Sequence, residues 1–294
     1  MRIVLSRKGF DSAAGGGPSP VLEDGTMLSL PIPEIGGVGH APENLAEANW
    51  HRYDDLILRP EIREYCKEKG KSEYCHLDPD IRPGLWKKQP DDWQAAFGQC
   101  GAAGGHLKNK LDLNNIEQEN ILFLFFGLFR HWADNKFTGK PFHAICGYMV
   151  SDKIIRDQQK MPEYHPHAKL ENATNNLLFI AKERCYGIFK YCERLVLTDL
   201  QQSAKTIWKL DALPWFEYLK DGTVTMSYHL DQASCFPEDK ACFQACQGYG
   251  QEFVVSPGAA DIPDLNWENC SFREILKNLE EMYKKMALFP IRVD

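Results

Sequence analysis

Several polar clusters interrupt the apolar runs of this chain, and each has residue types that could do chemistry. Ser6, Arg7, Lys8 and Asp11 sit between the apolar start of MRIVLSRKGFDS and Gly15, Gly16 and Gly17. A strand that empties into a glycine-rich turn carrying two cations gathers backbone N–H groups and positive charge at one strand end, which is how phosphates are commonly held. The same residues also describe an edge strand with a loop behind it, because no full phosphate-loop pattern is present. In HLDPD, His76, Asp78 and Asp80 could bind a divalent ion or act as general acid and base; a surface turn with aspartate caps is the plainer reading.

Gln99 and His106 flank CGAAGG, a run that would let a flat ligand approach the backbone. A glutamine amide pairs a donor with an acceptor and so can read a base edge, and a histidine moves protons near neutral pH. Against this stands a tightly packed helix start with a satisfied histidine. His143, His165 and His167 are further candidates; in an extended chain the H-P-H spacing directs two imidazoles apart, so one of them is expected to face a site. Ser227, Tyr228 and His229 end a short alternating stretch, and strand ends often carry sites. Glu252 lies in an apolar run, where an unpaired carboxylate would be costly, and Arg7 is its expected partner.

These residues need elements to position them. ILFLFFGLFRH (121–131), FHAICGYMVSDKII (142–155), NLLFIAKERC (176–185), GIFKY (187–191) and RLVLTD (194–199) are short apolar or alternating runs rich in aromatic and β-branched residues, and predict strands. Residues 21–42 are rich in Pro and Gly and predict irregular structure, 43–70 show helical spacing with charge, and 60–92 read as a loop region. Asp91 and Asp92 are expected to cap a helix or turn running through FGQCGAAGGH. Residues 272–286 carry Ile275, Leu276, Leu279 and Met282 at helical spacing. The fold class is therefore α+β: a mixed, strongly curved, partly barrel-like sheet with flanking helices. One domain over 1–294 is expected, with lobes 1–118 and 119–294 as its natural subdivision.

Composition narrows the classes of function. The 294 residues are 44% hydrophobic and 26% charged, which suits a globular core. A net charge of −7 argues against coating nucleic acid by charge alone. A local contact with single-stranded DNA stays open through Lys182, Arg184, Tyr186, Lys190, Tyr191, Arg194, Lys205 and Trp208, although such sets are commonly half core and half solvated face. No apolar run suggests a membrane span or an export signal, so the expected location is the cytoplasm. Cys235, Cys242 and Cys246 are spaced poorly for structural zinc, and no metal site is assigned. Most of the ten cysteines are expected to be reduced.

The ordered set SRKGFDS (6–12), HLDPD (76–80), FGQCGAAGGHL (97–107), FLFFGLFR (123–130), HAICGYMV (143–150), HPHA (165–168), SYH (227–229) and GQEFV (250–254) resembles the third type of nucleotide modification associated domain. The resemblance covers most of the chain. It implies a bacterial or phage protein tied to systems that alter nucleotides or DNA bases, without naming a reaction. The chain departs from the family pattern in the Cys-rich stretch 235–246 and at Gly104 and Gly105, which puts the shape of the central pocket in question. On that basis the expected enzyme draws catalytic groups from His76, Asp78, His106 and Glu252. It binds a nucleotide or flipped base in a central pocket through Ser6, Arg7, Lys8, Asp11, Gln99, His143, His167, Tyr228 and His229. The cofactor and oligomeric state are left unknown.

Two alternatives come from other classes. The FFG strand with HAICGYMV is similar to the small PUA and ASCH barrels, which would make the chain a non-catalytic reader of modified bases. The order of Arg7, the serine in VTMSYH and Glu252 is similar to that in some NAD-dependent ADP-ribosyltransferases. Convergent histidines and carboxylates would favour catalysis, and an aromatic cage with neutral hydrogen-bonding groups would favour reading.

Overall fold

The computed structural model describes residues 2–12, 14–111, 113, 121–191, 193–196 and the strand segments 207–209, 223–226, 242–244 and 252–256. Its centre is β6 (Ile121–Ala133) and β7 (Lys136–Ile155), an antiparallel hairpin made from the longest aromatic run of the sequence. The two are joined through Asp134 and Asn135 alone, both at positive φ (50° and 59°), the backbone that a two-residue hairpin turn requires and that Asp and Asn tolerate. Nearly every residue in the first part of β6 is buried, so this strand is covered on both faces.

Around that hairpin the sheet grows in both directions. β1 (Arg2–Arg7) lies parallel to β6 and antiparallel to β12 (Glu252–Ser256), which pairs with β10 (Thr223–Met226). On the other side β8 (Leu177–Ile188) pairs with β7, and β5 (Ala96–Gln99) with β8. The order is β10-β12-β1-β6-β7-β8-β5, with β2 (Ser19–Val21) alongside the far end of β6. The fold is mixed α and β with a sheet-rich core and few helices. The barrel-like outline expected from the sequence is corrected here: among the described residues the order ends in two edges and does not close.

Two small sheets lie apart, β3 (Ile32–Glu34) with β4 (Tyr74–His76), and β9 (Ile207–Lys209) with β11 (Cys242–Gln244). The segment 60–92 is not all loop. α1 (Pro60–Gly70) starts with proline at its first turn, where no N–H is missed, and ends at Lys71 in the left-handed region. It buries Ile62 and Cys66 in a second core with Phe10, Leu30, Tyr53 and Leu56. α2 (Gly101–Lys110) starts after Cys100, not at Asp91 or Asp92, because β5 occupies the residues between. Its three glycines lower its helix propensity, so tertiary packing of Ala103 and Leu107 holds it.

The runs 176–185 and 187–191 fall largely within one strand, β8, and residues 193–195 form a 3-10 turn. The expected helix at 272–286 lies outside the described residues, as do Tyr228 and His229. No helix among the described residues is long and apolar enough to cross a membrane. The five cysteines at 66, 75, 100, 146 and 185 are free thiols; of the 235–246 cluster only the Cys242 backbone is described.

Candidate functional site

The site is assembled where β1, β5 and β12 meet the turn after β4. Register places Ser6 opposite Glu252 across the β1–β12 pair. Strand alternation then directs Lys8, like Ser6, to the side that Arg7 leaves. Ser6 Oγ donates to Glu252 Oε1 at 3.0 Å, and Gln99 Nε2 donates to the same oxygen at 2.6 Å. The Gln99 amide is held in that orientation because its Oε1 accepts from the Cys100 N–H at 3.1 Å. Glu252 is fully buried (0% exposed). Burial pushes its carboxyl upward, opposed by Lys8 and then by the Gln99 and Ser6 hydrogen bonds.

Lys8 is the cation of this cluster. Its Nζ lies 3.5 Å from Glu252 Oε1 and 3.6 Å from Asp78 Oδ2, and sits 4.3 Å from the centre of the Phe97 ring. One ammonium thus serves two carboxylates with an aromatic face beneath it. The expected Arg7–Glu252 pair is corrected: Arg7 hydrogen-bonds Asp11 through Nε and Nη2, four residues on in the chain. The turn behind it is not an open phosphate cradle at those positions either. Asp11 Oδ1 accepts from Ala14 N at 2.7 Å, and its carbonyl accepts from Gly17 N at 3.1 Å.

Asp78 is fixed from the other side. Gly98 N donates to its Oδ1 at 2.6 Å, and His165 Nε2 faces the same oxygen at 3.7 Å. His165 Nδ1 accepts from the His167 N–H at 3.2 Å, so the proton of the neutral ring belongs on Nε2, toward Asp78. The H-P-H segment forms a 3-10 turn at Pro166–Ala168. Both imidazoles therefore turn inward, with ring centres 5.6 Å apart, where an extended chain would have separated them. His76 and His167 stand edge to face at 5.3 Å. Ligand atoms of His76, Asp78 and His167 all lie within 4.8 Å of one another, so among the described residues these three form a group that could hold a metal ion.

Burial drives the His167 pKa down to about 4, with Asp78 opposing, and drives His165 well below the ordinary histidine range. Both rings are neutral near pH 7. Gly98 is required by this packing: a Cβ there would lie 2.2 Å from His167 Cδ2. Gly104 is required as well, since its Cβ would lie 2.3 Å from the Asn175 carbonyl oxygen. The small residues of CGAAGG thus admit the neighbouring chain at that position, where a flat ligand had been expected.

Other candidates stand elsewhere. His106 is buried on α2, which packs against β12. His143 is half-buried on β7; burial first, and then the Arg7 charge, lower its pKa to about 4, with Asp11 opposing. It thus belongs with Arg7 and Asp11. Asp80 is buried under two indoles, Trp86 and Trp93 donating to its Oδ2 at 3.0 and 2.7 Å, and burial raises its pKa to about 7. A cavity of about 40 Å³ adjoins Asp78 and Pro79, walled by Leu77, Ile81, Arg82 and Phe125 among others. That volume suits a water-sized group.

Of the basic and aromatic set, Tyr191 packs against His131 and Phe142, and Lys190 bonds the Asp24 carbonyl, while Arg184 is exposed. The side chains of Arg194 and Trp208, and Lys205 altogether, lie outside the described residues. Sequence reasoning missed Glu34 and Asn176, which bond the outer nitrogens of His76 and His167 at 2.9 and 2.7 Å. No local signal marks either residue.

The family model described as nucleotide modification associated domain 3 matches residues 2–256. No curated protein and no solved structure matches the chain.

Proposed function

The chain belongs to the nucleotide modification associated domain 3 family, and from that premise we propose that it is an enzyme that alters a nucleotide or a DNA base at the Lys8–Asp78–Glu252 cluster. The observation that carries this reading is the convergence of two carboxylates, a shared ammonium and inward-turned imidazoles from four separate stretches of chain. Titratable groups packed this closely cost stability, and chains tolerate that where the groups do chemistry. A reader of bases needs an aromatic cage and neutral donors; at this cluster the aromatic contribution described is the Phe97 face beneath Lys8.

Roles follow from the surroundings. Glu252, raised by burial and hydrogen-bonded by Ser6 and Gln99, is placed to exchange a proton as general acid or base. Lys8 neutralises negative charge that develops on the substrate. Gln99 orients Glu252, and Asp78 is held rigid by Gly98. His106 remains a candidate from the neighbouring helix. The reading includes strong curling of the sheet, supported by Phe97 of β5 packing 4.9 Å from Phe123 of β6 although β7 and β8 stand between them in the order. The cavity at Asp78 is too small for a base, so substrate binding requires its walls to part.

The test is chemical. DNA and free nucleotides from cells expressing the wild type or Glu252→Gln are digested to nucleosides and compared by mass spectrometry. A nucleoside present only with the wild type supports the proposal. Identical profiles, with both proteins soluble and folded, count against an enzyme of this class and favour the reader.

A further inference from the structure

We propose that His76, Asp78 and His167 form a site for one divalent transition-metal ion. This deepens the nucleotide reading, since Asp78 and His167 belong to the same cluster, and it is argued from ligand atoms within 4.8 Å of one another and from the bonds that orient each ligand.

The orienting bonds decide where the lone pairs point. Asn176 Nδ2 donates to the His167 carbonyl at 2.9 Å and to Gln158 Oε1 at 3.2 Å, which fixes the amide so that its Oδ1 faces the His167 ring. An amide oxygen only accepts, so the His167 nitrogen 2.7 Å away, Nδ1, must carry the proton. Its Nε2 is then a bare lone pair. The same holds at His76, where Nδ1 lies 2.9 Å from the carboxylate oxygen Glu34 Oε2. A histidine that donates its outer N–H to a carboxylate or an amide oxygen, keeping the other nitrogen for the ion, is the usual support of a metal-bound imidazole.

The carboxylate is supported in the same way. Gly98 N holds Asp78 Oδ1 at 2.6 Å and His165 Nε2 faces that oxygen, which leaves Oδ2 turned elsewhere. A nitrogen of each imidazole and a carboxylate oxygen thus gather within 4.8 Å, and in a partly buried setting that concentration of acceptors attracts a cation. Lys8 supplies part of the answer, since its Nζ is 3.6 Å from Asp78 Oδ2. Among the described contacts, however, no hydrogen bond joins Lys8 to either imidazole. The pair of rings is left to a second cation.

Two imidazoles and one carboxylate suit zinc, iron(II) or cobalt(II), and poorly suit magnesium or calcium, which take oxygen ligands. Three protein ligands leave coordination positions for water or a substrate atom. The cysteine spacing that argued against a metal concerns another part of the chain and does not bear on this site.

The test needs no nucleotide, so its failure and that of the enzymatic reading are separable. Full-length protein stripped with a chelator is titrated with Co²⁺, followed by the visible absorption of the bound ion, and with Zn²⁺ by calorimetry. The expected result is one ion per chain, with affinity at least about tenfold weaker in His76→Gln, Asp78→Asn and Glu34→Gln, the last acting only through His76. Near-ultraviolet circular dichroism reports folding of each variant; if Asp78→Asn fails to fold, His76→Gln at the rim decides. No stoichiometric binding by the wild type overturns the proposal. So does binding that folded His76→Gln and Glu34→Gln leave unchanged.

Discussion

Gln99 Nε2 donates to Glu252 Oε1 at 2.6 Å, although β5, which carries Gln99, ends the sheet order on one side and β12, which carries Glu252, stands next to the end on the other. No backbone pairing joins these strands among the described residues. A buried charge-assisted hydrogen bond therefore ties the two sides of an open sheet at the point where Lys8 and Asp78 also meet.

Replacing Glu252 by Gln tests the charge while keeping the shape. The amide oxygen still accepts from Ser6 and Gln99, so the melting temperature is expected to stay within a few degrees of wild type. Turnover is expected to fall by about 10²-fold or more, the loss typical of a general acid or base. A variant that melts normally and retains full activity would remove Glu252 from the chemistry.

Lys8→Met is expected to destabilise the protein by about 3 kcal/mol, because Asp78 and Glu252 lose their shared cation in a buried setting. Adding Glu252→Gln should recover part of that loss. Denaturant unfolding of the wild type, both single variants and the double variant measures the coupling, expected to exceed about 1 kcal/mol. Strict additivity would contradict the contact.

Gly98→Ala forces a methyl group to within 2.2 Å of the present position of His167 Cδ2, and the backbone N–H it adjoins holds Asp78. The ring must move. A loss of about 1–3 kcal/mol on unfolding is expected from such overpacking, and metal affinity should fall with it. An alanine variant as stable as wild type would mean that His167 is free to shift.

Asp80 gives the clearest pH signature. Burial raises its folded pKa to about 7, above the unfolded value, so its contribution is fully present below about pH 4 and is lost as pH rises toward 7. Buried His51 and His167, held neutral with pKa values of about 3 and about 4, act in the opposite sense: their stabilisation is lost as pH falls below about 6.5. Asp80→Asn isolates the first effect. Its melting temperature relative to wild type should increase between pH 5 and pH 8; a difference independent of pH would show that Asp80 titrates normally.

The strands of the central sheet were legible in the sequence because β6, β7 and β8 are long aromatic and β-branched runs, and burial on both faces needs little else. The start of α2 was not, since Gly and Ala carry no capping signal and the helix depends on packing. At the site, the sequence named Gln99, Asp78, Glu252 and Lys8 as candidates, but paired Arg7 with Glu252, which the structure pairs with Lys8. Strand alternation was sufficient to choose Lys8, which shares its face with Ser6, over Arg7. The inward turn of His165 and His167 was hidden by reading H-P-H as extended chain. Glu34 and Asn176 act only through contacts made far along the chain, and such partners leave no local pattern.

Calorimetric titration shows whether the Lys8–Asp78–Glu252 cluster takes a nucleotide or a base, as proposed. Wild type, Lys8→Met and Gln99→Ala are each titrated with a panel of mononucleotides and with a short single-stranded DNA at two salt concentrations. At least one of these ligands is expected to bind once per chain, and both variants, still folded, to bind it at least about tenfold more weakly, the effect of removing one charge-assisted contact. A wild type that binds none of them, or a ligand that binds the wild type and both variants equally, would contradict it.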